Sequence, residues 1–193
     1  KQQLDGKTTY ITRGATIAAK KGILVVNSVG NYGGAGASSL IAPADAQGII
    51  SVGSVTSTST VSGFSSRGPT ADGRIKPELV AFGQAPVLIR ENGAVGTGQG
   101  TSFSAPQIAA LAAGLWQARP EWKKDQLILN LLRSATQYDK PDNSLGYGIP
   151  NFSKAYLGEI LSISSEEKTE VGIYPNPLTN GQLTIGFGMS TEL

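Results

Sequence analysis

Residues 98–106 read Gly98-Gln99-Gly100-Thr101-Ser102-Phe103-Ser104-Ala105-Pro106, a glycine-rich approach that ends in Gly-Thr-Ser and continues into an apolar segment. Glycine permits sharp turns and lets another molecule come close to the backbone. The apolar residues from Ile108 onward predict a helix that is buried nearly all round. Ser102 is therefore expected at the start of a helix, where free N–H groups and the helix dipole favour negative charge. Pro106 is expected at an early helical position.

Three interpretations of this stretch have to be compared. Ser and Thr are common helix N-caps, so a capping role alone explains an arbitrary Gly-Thr-Ser. The glycines at 96, 98 and 100 also resemble a phosphate-binding loop, but no Lys follows and their spacing fits neither nucleotide motif. The third interpretation is a nucleophilic serine, presented at the mouth of a buried helix.

The residues upstream indicate alternating helices and strands. Thr8 to Lys21 has helical apolar spacing at Ile11, Ala15, Ala18 and Ala19, and Gly22 is placed to end the helix. The apolar run 23–26 and the segment 49–55 predict strands buried on both faces. Helix, short turn and buried strand form half of a βαβ unit.

Composition excludes several classes of protein. The chain has 193 residues, a formal net charge of +2 and no cysteine. These values argue against nucleic-acid binding and exclude disulfides and thiolate metal sites. No apolar run reaches the roughly 18 residues that a membrane span requires. The sequence contains no histidine, and its first residues look like the middle of a longer protein.

Several motifs, in the right order, resemble one family. The segment 100–106 is similar to the nucleophile motif of the subtilisin-like serine proteases, the subtilases. Val25-Val26 followed by Gly30-Asn31 resembles the segment that carries the oxyanion-stabilising asparagine of that family. Phe64-Ser65-Ser66-Arg67-Gly68-Pro69 and Leu145-Gly146-Tyr147-Gly148-Ile149-Pro150 resemble further subtilase segments. The resemblance covers residues 1–156 and implies the C-terminal part of the peptidase domain, an α/β fold with a mostly parallel sheet and helices on both faces.

The resemblance also implies roles for individual residues. Ser102 is the expected nucleophile and Asn31 the expected oxyanion donor; both are taken as catalytic. Substrate contacts are expected from Ser28, Val29, Gly30 and Thr101. A serine hydroxyl needs an adjacent general base, and in this family an aspartate-oriented histidine supplies it. The catalytic aspartate and histidine are therefore expected upstream, and this chain alone is expected to be an inactive fragment of a serine endopeptidase acting on proteins or peptides. No metal or other cofactor is expected in the chain, although the resemblance allows for calcium in the full-length protein.

The C-terminal residues suggest a second module. Residues 157–170 are polar and charged and predict a linker. Tyr174-Pro175-Asn176-Pro177, the turn signal Asn180-Gly181 and the alternating Leu183, Ile185 and Phe187 resemble the start of a type IX secretion C-terminal sorting domain, here residues 171–193. That resemblance implies a small β domain, the type IX secretion machinery as a partner, and export to the surface or medium of a Bacteroidetes-type bacterium.

Two alternatives remain open. The chain could be a non-catalytic secreted surface or binding protein that reuses part of the subtilase fold. It could also be a different serine hydrolase, in which Lys76 activates Ser102. An incomplete sheet would leave an exposed edge and an apolar face, so we expect the isolated chain to be poorly soluble.

Overall fold

The computed structural model describes residues 2–158 and the two strands 169–174 and 184–189. The chain divides into two compact units, 1–158 and 159–193. In the first unit the helices are α1 (Tyr10–Lys20), α2 (Thr101–Ala118), α3 (Lys124–Arg133) and α4 (Phe152–Leu157), with a short 3-10 turn at Gly33–Ala35. Its strands are β1 (Val26–Ser28), β2 (Ile50–Val55), β3 (Leu79–Phe82), β4 (Gln84–Ile89) and β5 (Val95–Gln99).

The central sheet of the first unit is parallel, as predicted, with strand order β1-β2-β3. Val26 pairs with Ile50, and Val52 pairs with Leu79. All six residues of β2 are buried, which confirms the prediction for 49–55. Strands β4 and β5 form a separate antiparallel hairpin that leads directly into α2.

Helices cover both faces of the sheet, which confirms the predicted α/β layering. Helices α2 and α3 pack on the face formed by Ile50, Val52 and Leu79. Helix α1 packs through Ala19 against Ile49, the residue before β2, in a cluster separate from the one that contains Ile50. The main core is formed by α2, α3, α4, β2, β3 and the turn after α3, and its buried members are Ile50, Val52, Leu79, Ala81, Ile108, Ala112, Leu115, Leu127, Leu131, Ala135 and Ala155.

Helix α1 lies within the predicted range Thr8 to Lys21, beginning at Tyr10 and ending at Lys20. The side chain of Thr9 caps the helix by accepting a hydrogen bond from the Thr12 N–H at 3.2 Å. Gly22 follows the last turn with a φ of +89°, the left-handed conformation that favours glycine at this position. Ile11 was predicted on the apolar face, but it is 58% exposed.

The prediction for the first strand was wrong in position and in burial. The strand begins at Val26 rather than at Ile23, and its three residues are only half-buried. Ile23 itself is 57% exposed. Within the described residues β1 pairs with β2 alone, and an edge strand lacks the second neighbour that would complete its burial.

Helix α2 differs from its prediction in two details. Ile108, Ala112 and Leu115 are fully buried, but Ala110 and Ala113 on the other side are exposed. Alanine fits a solvent-facing helix position as well as a buried one, so the apolar pattern overestimated the burial. Pro106 is the sixth helical residue rather than an early one. Its missing N–H leaves the Ser102 carbonyl without the usual intrahelical donor.

The second unit contains an antiparallel pair, β6 (Thr169–Tyr174) and β7 (Thr184–Met189). Thr169 pairs with Met189, and Tyr174 pairs with Thr184. The Pro-Asn-Pro sequence at 175–177 and the turn signal at 180–181 lie outside the described residues.

Candidate active site

The candidate site lies where two loops leave the carboxyl ends of their strands. Strand β1 ends at Ser28 and leads through Val29 and Gly30 to Asn31. Strand β5 ends at Gln99, and Gly100 connects it to α2, in which Ser102 is the second residue. This confirms the predicted place of Ser102 at a helix start. Ligands of open α/β sheets bind at this end of the strands.

Thr101 fixes the orientation of the Asn31 side chain. The Oδ1 atom of Asn31 accepts hydrogen bonds from the Thr101 N–H at 3.0 Å and from the Thr101 Oγ1–H at 2.9 Å. Two donors on one atom identify it as the carbonyl oxygen of the amide. The Nδ2 group is therefore directed away from Thr101, and it has no hydrogen-bond acceptor among the described residues.

Two N–H donors border one empty space beside Gly100. A Cβ atom built on Gly100 would lie 3.4 Å from Asn31 Nδ2 and 3.8 Å from the Ser102 nitrogen. Gly100 has a φ of +150°, which side-chain-bearing residues rarely adopt. The Ser102 N–H belongs to the first helical turn and has no intrahelical acceptor. Two N–H donors that point into one space can stabilise a developing oxyanion.

Ser102 is exposed, and its Oγ has no hydrogen-bond partner among the described residues. The chain contains no histidine, so a histidine base cannot come from these residues. The described residues thus offer N–H donors near Ser102, but the sequence offers no imidazole to pair with its hydroxyl.

Lys76 does not serve as that base in the structure. Its side chain is 1% exposed, and its ammonium group forms an ion pair with the Glu78 carboxylate. The same ammonium donates a hydrogen bond to the Ala46 carbonyl at 3.3 Å. Glu78 also accepts hydrogen bonds from the backbone N–H and hydroxyl of Ser51. Lys76 thus links loops and strands in the interior, and the structure does not bring it to Ser102.

The residues predicted to contact substrate differ in accessibility. Ser28 is half-buried at the end of β1, whereas Val29 and Thr101 are fully buried. Gly30 is buried and has a φ of +113°. Val29 packs with Leu40 in a small apolar cluster, so its side chain offers no surface to a ligand. Thr101 also holds the Asn31 side chain through two hydrogen bonds. No sequence pattern predicted this contact.

The carboxylates with shifted pKa values lie in loops outside this site. Hydrogen bonds from Lys7 and Thr8 lower the pKa of Asp5. Burial raises the pKa of Asp142, but hydrogen bonds from the Leu145 and Ser144 N–H groups outweigh it, so the net shift is downward. Over the described ranges, three or more potential metal ligands nowhere come together. The described helices include none with the length and apolarity of a membrane span.

Comparisons with known proteins identify the class. Residues 2–148 match the sequence profile of the subtilase family. The chain therefore belongs to the subtilase family of serine proteases. It is 28% identical over 172 residues to serine protease AprX of Bacillus subtilis, covering 77% of this chain and 38% of that protein. It is 32% identical over 132 residues to subtilisin E of Bacillus subtilis, covering 68% of this chain and 32% of that protein. The chain thus spans about a third of the length of these relatives.

Solved structures confirm the fold. A lanthipeptide protease superposes with a TM-score of 0.63 and 24% identity, covering 76% of this chain and 54% of that chain. The self-cleaved protease domain of PatA gives a TM-score of 0.62 at 23% identity, with coverages of 75% and 53%. The Clostridium perfringens CspB protease gives 0.58 at 29% identity, with coverages of 65% and 30%.

Proposed function

We propose that the chain is the C-terminal part of the catalytic domain of a subtilisin-like serine endopeptidase. Ser102 Oγ attacks the peptide carbonyl and forms an acyl-enzyme, while the Ser102 N–H and Asn31 Nδ2 hold the oxyanion. The observation that carries this proposal is the orientation of Asn31. Thr101 occupies its oxygen, which leaves the amide nitrogen on the side of Gly100, near which the Ser102 nitrogen also lies.

The general base belongs to the full-length protein rather than to these residues. The relatives are about three times as long as the matched region, and the chain has no histidine. A histidine oriented by an aspartate, both upstream, takes the Ser102 proton and later delivers it to the leaving amine. Removing the histidine of such a triad lowers kcat by about 10⁶-fold. Residues 1–193 alone are therefore inactive.

The test begins with the DNA upstream of the Lys1 codon. An open frame that encodes an Asp-Ser/Thr-Gly segment and then a His-Gly-Thr segment is expected. The full-length product should hydrolyse a peptide substrate, and residues 1–193 should not. Hydrolysis by residues 1–193 that disappears in Ser102→Ala would contradict the assignment of the base to another segment. A stop codon and a ribosome-binding site just upstream of the Lys1 codon, with no activity, would instead favour a non-catalytic binding protein.

We also propose that the second unit determines where the protease is localised. Its β6–β7 pair follows the peptidase region, and its sequence resembles a type IX sorting domain. It directs the protease through that secretion machinery to the cell surface or medium, where its substrates are proteins or peptides. Deleting residues 159–193 from the full-length protein should retain the protease inside the cell, whereas unchanged export would contradict this role.

A further inference from the structure

The loop 64–68 lies against the backbone on both sides of Asn31. The Gly33 N–H donates to the Phe64 carbonyl at 2.8 Å. Further along, the Ser38 N–H donates to the Gly68 carbonyl at 2.8 Å. The asparagine loop is therefore supported along its length by a second loop rather than held by β1 alone.

Ser66 occupies the middle of this support. Its N–H donates to the Gly30 carbonyl at 2.9 Å. Its Oγ accepts the Tyr32 N–H at 2.9 Å. These two bonds hold the residues immediately before and after Asn31, and Ser66 is fully buried. Building on the proposed function, we propose that Ser66 is a positioning residue that sets the place of the Asn31 amide in the oxyanion site.

Ser66 can hold this position because its own loop is anchored to the sheet. Ser65 Oγ accepts the Ser54 N–H of β2 at 3.0 Å, and the Ser62 N–H donates to the Ser54 carbonyl at 2.9 Å. On the other side, the Gly68 N–H donates to the Lys76 carbonyl at 2.9 Å. The hydroxyl of Ser66 is thus fixed relative to β2.

The position of the Ser66 hydroxyl requires a glycine at position 30. A Cβ atom built on Gly30 would lie 2.8 Å from Ser66 Oγ and 2.9 Å from an Ile41 side-chain carbon. Any side chain at position 30 would therefore displace the hydroxyl that receives the Tyr32 N–H. The absence of a side chain at Gly30 permits the close approach of Ser66.

A small shift of the Asn31 amide should lower kcat, because an oxyanion is stabilised only by donors that are accurately placed. Loss of one oxyanion donor costs about 10²- to 10³-fold in kcat, and a displacement of about 1 Å at a reacting centre can cost about 10²-fold. Without the Ser66 hydroxyl, the Tyr32 N–H loses its acceptor and the loop bearing Asn31 shifts. The transition state then loses more stabilisation than the bound substrate does.

The test uses the full-length protein and compares two buried serines. Ser66→Ala removes the acceptor of the Tyr32 N–H. Ser134→Ala removes an acceptor of the same type, which receives the Asn151 N–H at 3.1 Å and lies outside the loops around Asn31. We expect Ser66→Ala to lower kcat by about 10-fold or more with KM within about 2-fold, and Ser134→Ala to change kcat by less than about 3-fold. Ser66→Cys, which keeps a weak acceptor, should recover part of the loss.

A double-mutant cycle with Asn31→Ala shows whether Ser66 acts through Asn31. In the Asn31→Ala background, Ser66→Ala should lower kcat by less than about 2-fold, because the donor that it positions is gone. If the effects of Ser66→Ala and Asn31→Ala multiply, or if Ser134→Ala and Ser66→Ala lower kcat equally, the proposal for Ser66 alone is overturned. An unchanged kcat in Asn31→Ala would contradict the proposed function, and the role of Ser66 with it.

Inhibitor binding separates a local effect on the oxyanion site from a general loss of folding stability in Ser66→Ala. The inhibition constant of a peptide boronic acid, whose adduct places an oxygen in the oxyanion site, should rise about 10-fold in Ser66→Ala. The inhibition constant of the matching product peptide should stay within about 2-fold. A parallel rise in both constants would indicate general loosening of the fold and would overturn the proposal.

Discussion

Thr101 is the residue on which the direction of the Asn31 amide depends, since both of its donors bind Asn31 Oδ1. Thr101→Val keeps the shape and the backbone N–H but removes the hydroxyl donor. One hydrogen bond contributes about 0.5–1.5 kcal/mol, so we expect kcat of the full-length protein to fall about 3- to 10-fold with KM unchanged. Steady-state kinetics on a peptide substrate measures this, with Thr97→Val on the exposed part of β5 as control. A change confined to KM would show that Thr101 contacts substrate instead.

Asp72 is a second single residue with a testable role, because its ionisation makes the folding stability depend on pH. Its hydrogen bond from Arg74 Nε, 2.9 Å long, lowers the pKa of Asp72 to about 2. A lowered pKa in the folded state means that the ionised carboxylate stabilises the fold fully above about pH 4 and loses that effect as the pH falls toward 2. Both side chains are about a third exposed, so the pair contributes only ~0.2–1 kcal/mol.

Asp72→Asn should therefore lower the urea midpoint slightly at pH 6, and the difference from wild type should shrink as the pH falls from 4 toward 2. Unfolding curves across this range, together with an NMR titration of the Asp72 carboxyl, provide the measurement. A constant difference down to the lowest pH, or a titration near pH 4, would contradict the ion pair.

At the scale of an element, α3 offers two leucines in one helix with opposite environments. Leu131 is fully buried against the sheet core, and Leu129 is 40% exposed. Leu131→Ala leaves a cavity and should cost about 2–5 kcal/mol of unfolding free energy, whereas Leu129→Ala should cost less than about 1 kcal/mol. Urea unfolding followed by circular dichroism measures both variants. Equal losses would mean that α3 does not pack in the orientation described.

The elements also show where sequence patterns suffice and where they fail. The end of α1 before Gly22 and the buried strand β2 follow from capping chemistry and apolar runs. The exposure of Ile11 and Ile23 could not be predicted, because apolar spacing alone does not show which positions a neighbouring element covers. Ser102 and Asn31 were found through motif resemblance. The task of Ser66 arises from contacts across 34 positions in the chain, for which no local pattern exists.

At the scale of the whole molecule, the edge of the sheet should affect behaviour in solution. Ile23, three residues before the edge strand β1, is 57% exposed, and Ile17 in α1 is 54% exposed; unpaired strand edges template association. We expect residues 1–193 to self-associate with rising concentration, as sedimentation equilibrium would show. Ile17→Lys combined with Ile23→Lys should reduce the apparent mass, whereas Ile89→Lys on the hairpin should not. A monomer at all concentrations would contradict this expectation.

The central claim is that Ser102 is the nucleophile of a protease whose base lies outside residues 1–193. The most direct measurement is mass spectrometry of the full-length protein and of residues 1–193 after treatment with a fluorophosphonate that labels activated serines. The structure predicts one phosphonylated residue, Ser102, in the full-length protein and no labelling of residues 1–193 alone, because an unactivated serine hydroxyl is a weak nucleophile. A full-length protein that hydrolyses peptides while carrying the label on another residue would contradict the claim.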